Sequence, residues 1–241
     1  IGKICTKLVP AMGAFYLLAC TAILIINRNY IGQSFYIILR SAFLPAKLPA
    51  AVAGGFIGGN LTLAARYGIA RGLFTNEAGL GSAAIAAAGA KTTHPAKQAL
   101  VSMSATFWDT VFMCAITGLV IVSNILKNPA SLKGYSFAEL TTAAFLPIPF
   151  GRTVLGISIM AFAAATLIGW SYFGEKAAEY LFGKSGIGAY RLCYIVMIFI
   201  GSIMSLNLVW ELTDFVNALM AVPNLICLIA LRKDIMPYNQ K

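Results

Sequence analysis

Apolar residues in this chain come in long runs separated by short polar stretches. Four runs carry no charge: Leu8–Ile26 with nineteen residues, Thr153–Gly174 with twenty-two, Leu192–Trp210 with nineteen and Phe215–Leu231 with seventeen. A helix needs about 20 residues to cross about 30 Å of hydrocarbon, so each run predicts a membrane crossing. Ala99–Leu126 is a further crossing, with Asp109 as its single interior acid. Ala50–Ala90 reads as one interrupted crossing, because Arg66 and Arg71 lie too close together for an ordinary lipid-facing span. Its break falls around Gly72–Gly81. The expected spans are therefore 8–26, 50–90 (interrupted), 99–126, 153–173, 192–209 and 215–231. Between them, Gln33–Lys47 and Tyr135–Leu146 mix apolar and polar positions as surface-lying amphipathic helices do. Pro147 and Pro149 end the second of these. Pro95 opens a helix after the basic loop Lys91–Lys97, and Glu211 with Asp214 mark a tight turn between the last two crossings. The fold class expected is an all-α polytopic membrane protein.

Composition agrees. Of 241 residues, 59% are hydrophobic and 11% charged, against about 25% charged in a soluble domain. Mean hydropathy is +0.81. The chain begins with Ile1, and Lys3 and Lys7 directly precede the first run. Leu8–Ile26 thus reads as an internal crossing rather than a leader, and the sequence as the C-terminal part of a longer chain whose N-terminal helices are its first partner. Six crossings place both ends on one side. With Ile1 cytoplasmic, the inner set is Lys3, Lys7, Arg66, Arg71, Lys91, Lys97, Lys176, Lys184, Arg191, Arg232, Lys233 and Lys241. The outer set is Arg28, Arg40, Lys47, Lys127, Lys133 and Arg152. That asymmetry obeys the positive-inside rule, with the Glu211–Asp214 turn outside. The net charge of +10 has no basic run behind it, so nucleic acid is not an expected partner. Cys5, Cys20, Cys114, Cys193 and Cys227 show no CxxC spacing and read as small buried hydrophobes.

Chemistry inside hydrocarbon must come from polar groups that the apolar pattern tolerates. The clearest is Arg71–Ser82, Arg-Gly-Leu-Phe-Thr-Asn-Glu-Ala-Gly-Leu-Gly-Ser, flanked by apolar sequence on both sides. Gly72, Gly79 and Gly81 permit backbone conformations a regular helix excludes. Such a break in a hydrophobic segment points to a transporter binding site, where unwound backbone and half-helix ends hold ions and polar ligands. Its bland counterpart is a solvated turn between two short helices. Thr166 and Trp170 are four apart and share a helix face. They serve either a ligand or helix packing and interfacial anchoring. Asp109 costs roughly 2.5–3.5 kcal/mol at a bilayer centre, so it is either an ion or proton ligand or a structural partner of Arg66 or Arg71. Glu77 has the same two readings, the structural one being a cap on the half-helix starting near Ser82. Gly79-Leu-Gly81-Ser-Ala-Ala84 mimics a dinucleotide fingerprint but lacks the strand and βαβ unit that motif needs. There is no phosphate-loop motif, and His94 is the single histidine. ATP hydrolysis, a histidine metal site and a His-based catalytic triad are all unexpected, and so is an enzyme.

The string Arg71–Ser82, followed by an Ala-rich helix and Lys91-Thr-Thr-His-Pro95, resembles the alanine or glycine:cation symporter family, the sodium:alanine symporters. The same is true of Gly169-Trp-Ser-Tyr-Phe-Gly-Glu175 with Glu179-Tyr-Leu-Phe-Gly183, of Leu206-Asn-Leu-Val-Trp210 and of Asn217-Ala-Leu-Met-Ala-Val-Pro-Asn224. The likeness runs through essentially the whole chain. It implies an inverted-repeat transporter fold of five-plus-five helices, in which Leu8–Ile26 closes the first repeat and the interrupted crossing opens the second. It further implies Na+-coupled symport of alanine or glycine by alternating access in the cell membrane, with Na+ as coupling ion and no cofactor. In such relatives the residues equivalent to Asn76, Thr166 and Trp170 contact substrate. Thr75, Glu77, Gly79 and Asp109 are the candidates for ion binding or gating. Two departures stand out: Thr75 replaces a common Ser, and Ser82-Ala-Ala84 replaces a usual Ser-Ala-Pro. The competing readings are a channel-like pore and a non-transporting membrane interaction subunit.

Overall fold

A computed structural model describes residues 2–43, 77, 79–92, 94–128 and 137–232. All regular structure among them is helical: α1 (Gly2–Ile26), α2 (Ile31–Phe43), α3 (Ser82–Ala88), α4 (Pro95–Thr106), α5 (Cys114–Lys127), α6 (Phe137–Phe145), α7 (Gly151–Phe182), α8 (Gly186–Ile203) and α9 (Leu206–Ala230). A π-helical segment, Phe107–Met113, joins α4 to α5, and a 3-10 turn, Arg28–Tyr30, precedes α2. Among the described residues, five helices are long and apolar enough to cross a membrane: Thr6–Ile26, Pro95–Lys127, Gly151–Phe182, Gly186–Ile203 and Leu206–Ala230. This is an all-α, polytopic membrane protein. Most of the interrupted crossing expected at 50–90 lies outside the described residues, which include only its final part.

The chain divides into two compact units, one of residues 1–68 and 110–167, the other of 69–109 and 168–241. The first unit is built around α5. Ala19, Cys20 and Ile23 of α1 meet Val120, Ile121 and Ile125 of α5, Leu140, Ala144 and Phe145 of α6, and Leu155 of α7. Polar pairs lace the α1–α5 seam. Tyr16 Oη and Thr117 Oγ1 lie 2.8 Å apart. At the seam's end Lys127 Nζ donates to Asn27 Oδ1 at 3.2 Å, and Asn27 Nδ2 donates to Ser123 Oγ at 3.4 Å. Asn27 and Ser123 are fully buried, and buried polar groups persist where they find partners. The amphipathic helix expected at 33–47 is present as α2, with residues 44–47 outside the described set. It does more than lie on a surface, for it packs along α5 and buries Ser34 completely.

The second unit holds α3, α4, the end of α7, α8 and α9. α8 and α9 are largely apolar, and none of their residues is buried. Phe199, Ile203, Ile226 and Ile229 are each more than 60% exposed, as expected of surfaces meant for hydrocarbon or for further helices rather than water. Gly174 of α7 fits directly against Tyr190 of α8, where a Cβ would collide with the phenol. Arg191 grips Glu175 through Nε and Nη2 at 2.7 and 3.0 Å, closing the same corner. The helix break expected at Glu211–Asp214 lies elsewhere. α8 ends at Ile203, Met204 and Ser205 take extended backbone angles, and both acids sit inside α9. Gly201, Ser202 and Ser205 are poorer helix formers than the Leu- and Glu-containing segment after them, and Thr213 returns its hydroxyl to Val209 O at 2.7 Å within the helix.

Candidate functional site

In the second unit the polar break takes a definite form. Glu77, Gly79 and Gly81 have φ of +52°, +82° and +84°, a left-handed path that glycine follows freely and glutamate does not. Leu80 N–H returns to Glu77 O at 3.2 Å, and α3 then starts at Ser82 on the alanine-rich Ser-Ala-Ala-Ile-Ala-Ala-Ala. Gly81 occupies the N-cap position of this helix. The Glu77 carboxylate lies beside the buried Ser82 hydroxyl without forming a well-aligned bond to it. From α9, Asn224 Nδ2 donates to Gly79 O at 2.9 Å. Its Oδ1 also stands 3.2 Å from where a Cβ on Gly81 would lie. Asn224 therefore braces the break, a role that no spacing rule singles out.

A cavity of about 320 Å³ opens between α3 and α4. Ala83, Ala86 and Ala87 of α3 form a small-residue wall. Opposite, Gln98, Ser102, Thr106 and Asp109 mark one polar stripe along α4 into the π-helical segment. Glu77 and Phe173 complete the lining. The structure thus brings two of the sequence candidates, Glu77 and Asp109, to one cavity. The π-turn inserts an extra residue into the helical period just where Asp109 sits. Asp109 Oδ2 is buried without a hydrogen-bond partner among the described residues. Arg66 and Arg71, its proposed structural partners, lie outside those residues.

Trp170 stacks edge-to-face on Phe173, ring centroids 6.0 Å apart, and so stands one side chain away from the cavity wall. Thr166 is four residues earlier on α7, in the first unit. Its hydroxyl donates to Phe162 O at 2.9 Å, which leaves oxygen lone pairs as acceptors. Asn76 and Thr75 lie outside the described residues. No cluster of three or more His, Cys, Asp or Glu side chains suited to a metal occurs among the described residues. Gln98, Ser102 and Thr106 were not singled out from the sequence; their spacing of four per step along one face was the available signal.

A family profile described as the sodium:alanine symporter family matches residues 1–240. The chain is 46% identical over 232 residues to the sodium/alanine symporter AgcS of Methanococcus maripaludis, covering 96% of this chain and 49% of that protein. It is 33% identical over 223 residues to the probable sodium/glutamine symporter GlnT of Bacillus subtilis, covering 90% and 46%. To the sodium/proton-dependent alanine carrier protein of Bacillus sp. PS3 it is 29% identical over 251 residues, covering 97% and 54%. The chain spans about half the length of the relatives it matches.

Proposed function

The chain belongs to the sodium:alanine symporter family, and from that membership we propose that it is the C-terminal portion of a Na+-coupled symporter for small neutral amino acids. Alanine or glycine is the substrate, and transport proceeds by alternating access of two inverted five-helix repeats. The protein works in the cell membrane with both ends of this portion cytoplasmic. Transport, not catalysis, is its activity. The observation that carries the reading is the family match over residues 1–240, which includes the whole Arg71–Ser82 string.

In this reading Asn76, Thr166 and Trp170 contact the amino acid, with Trp170 limiting side-chain size. Thr75, Glu77, Gly79 and Asp109 serve ion binding or gating. The left-handed backbone at Glu77, Gly79 and Gly81 supports it, since an unwound segment leading into a half-helix is what an ion or zwitterion needs at membrane depth. One Na+ falling through 100 mV supplies about 2.3 kcal/mol, which at about 1.4 kcal/mol per decade sustains close to fiftyfold accumulation. A second reading, H+ in place of or beside Na+, is favoured by one feature: two carboxylates, Glu77 and Asp109, line the same cavity.

The test is labelled alanine uptake by the complete protein in sealed proteoliposomes, with an inward gradient of Na+, of H+ or of K+, for wild type and Asn76→Ala. Na+-driven uptake that Asn76→Ala abolishes in folded protein supports function and site together. Na+-driven uptake indifferent to Asn76 keeps the function and discards the site. Uptake driven by H+ alone transfers the coupling role. Conductance beyond carrier rates without amino-acid dependence selects a pore, and no uptake under any gradient selects an interaction subunit.

A further inference from the structure

The string Asn217-Ala-Leu-Met-Ala-Val-Pro-Asn224 has no part in the proposed site, yet the fold carries its last residue to the polar break. Three backbone carbonyls of the described break are engaged. Glu77 O accepts from Leu80 N–H and Gly81 O from Ala84 N–H, each at 3.2 Å. Both bonds are local and move with the break itself. Gly79 O instead accepts from Asn224 Nδ2 at 2.9 Å, across 145 positions of sequence. That bond is the shortest of the three and ties the break to another helix. Asn224 Oδ1 meanwhile stands 3.2 Å from where a Cβ on Gly81 would lie. One amide therefore holds two points of the left-handed path, Gly79 through a hydrogen bond and Gly81 through contact.

The helix that carries this amide is weakened at the same place. Pro223 lies inside α9. It has no N–H to offer the carbonyl of Leu219 four residues earlier, and its ring crowds that carbonyl. Sharp bends in helices gather at such positions, so a change of bend at Pro223 moves the Asn224 amide against Gly79 and Gly81. We propose that Asn224 is a positioning residue of transport: through Gly79 O it holds the break in the geometry that binds the amino acid, and α9 thereby sets the affinity of that segment. This role rests on the break being the binding segment of a transporter. Asn224 acts there through the backbone, not on the ligand. A brace that only stabilised the fold would leave affinity unchanged in whatever protein folded.

The test is the KM of Na+-driven labelled alanine uptake by the complete protein in sealed proteoliposomes. Wild type, Asn224→Ala and Asn224→Asp are compared, with folded protein measured by gel filtration in detergent. Asn224→Ala removes the donor, whereas Asn224→Asp keeps the size and loses the donor only while ionised. Each should raise KM about fivefold, the worth of one ordinary hydrogen bond, with the maximal rate per folded protein little changed. As pH falls, the carboxyl of the Asn224→Asp protein takes up a proton and its O–H donates again. Its KM, taken relative to wild type at the same pH, should then return toward the wild-type value, while that of Asn224→Ala should not. If Asn224→Ala fails to fold, the pH dependence of Asn224→Asp decides alone. A KM equal to wild type in the variants, or an Asn224→Asp defect that pH leaves unchanged, overturns the role and leaves transport standing. Wild type that takes up no alanine under any gradient overturns the transport reading and this role together.

Discussion

Gly81 is held to glycine by two independent facts, φ of +84° and the Asn224 side chain 3.2 Å from where its Cβ would lie. Gly81→Ala should therefore destabilise the protein by about 1–3 kcal/mol, the usual cost of an L-residue forced into that region. Asn224→Ala should cost about 1 kcal/mol through its lost bond to Gly79 O. Thermal unfolding of both single variants and the double variant measures the coupling. Since Asn224→Ala also removes the clash, the double variant should lose less than the sum; strict additivity would show that the contact does not matter. At Trp170 the expectation concerns selectivity. Trp170→Ala should admit larger side chains, read as competition of labelled alanine uptake by leucine or glutamine. Unchanged competition would remove Trp170 from the size limit. Glu77, at φ +52°, carries both strain and charge, and Glu77→Asn separates them because asparagine tolerates the left-handed region.

Among elements, the α1–α5 seam combines apolar packing with polar pairs. Its polar end depends on Asn27, which satisfies Lys127 and Ser123 together. Asn27→Ala should cost about 1–3 kcal/mol, because it removes a buried amide bonded to the buried Ser123 hydroxyl and opens a gap. Lys127 is exposed, so Lys127→Met should cost less and should add little in the Asn27→Ala protein; denaturation in detergent compares the variants. A Lys127→Met that worsens the Asn27→Ala protein would show that the pair does not act as one unit. The π-helical segment Phe107–Met113 is the element no pattern announced. Phe-Trp-Asp-Thr-Val-Phe-Met contains neither proline nor glycine, so no local helix breaker accounts for its extra residue per turn. The α8–α9 break shows the opposite balance. Charge suggested Glu211–Asp214 as the turn, but the chain bends at Met204–Ser205, where weak helix formers cluster and the acids can remain within a helical ladder.

For the whole molecule, the proposed symport sets the scale, and the chain matches about half the length of its relatives. If one Na+ accompanies each amino acid, steady-state accumulation in proteoliposomes should rise with voltage at about 2.3 kcal/mol per 100 mV and vanish when K+ replaces Na+. A plateau independent of voltage would rule out an electrogenic one-to-one symport. The unburied apolar helices α8 and α9 also imply that neither stays dispersed in water without lipid, detergent or the remaining helices.

The sequence by itself determined the class, the helical content, the approximate spans and the place of the polar break. Each follows from hydropathy over windows of about 20 residues or from glycine chemistry at single positions, and both are local properties. It also carried the family, because the Arg71–Ser82 string keeps its residues in order. Only the tertiary structure decided that Asn224 braces the break, that Asp109 sits in a π-turn and lines one cavity with Glu77, and that Asn124 and Arg152 share a cavity. Those pairings join residues 28 to 145 positions apart, and no periodicity of 3.6 reaches that far. The location of the last helix break belonged to the structure as well, where the weak helix formers Gly201, Ser202 and Ser205 outweigh the charges of Glu211 and Asp214.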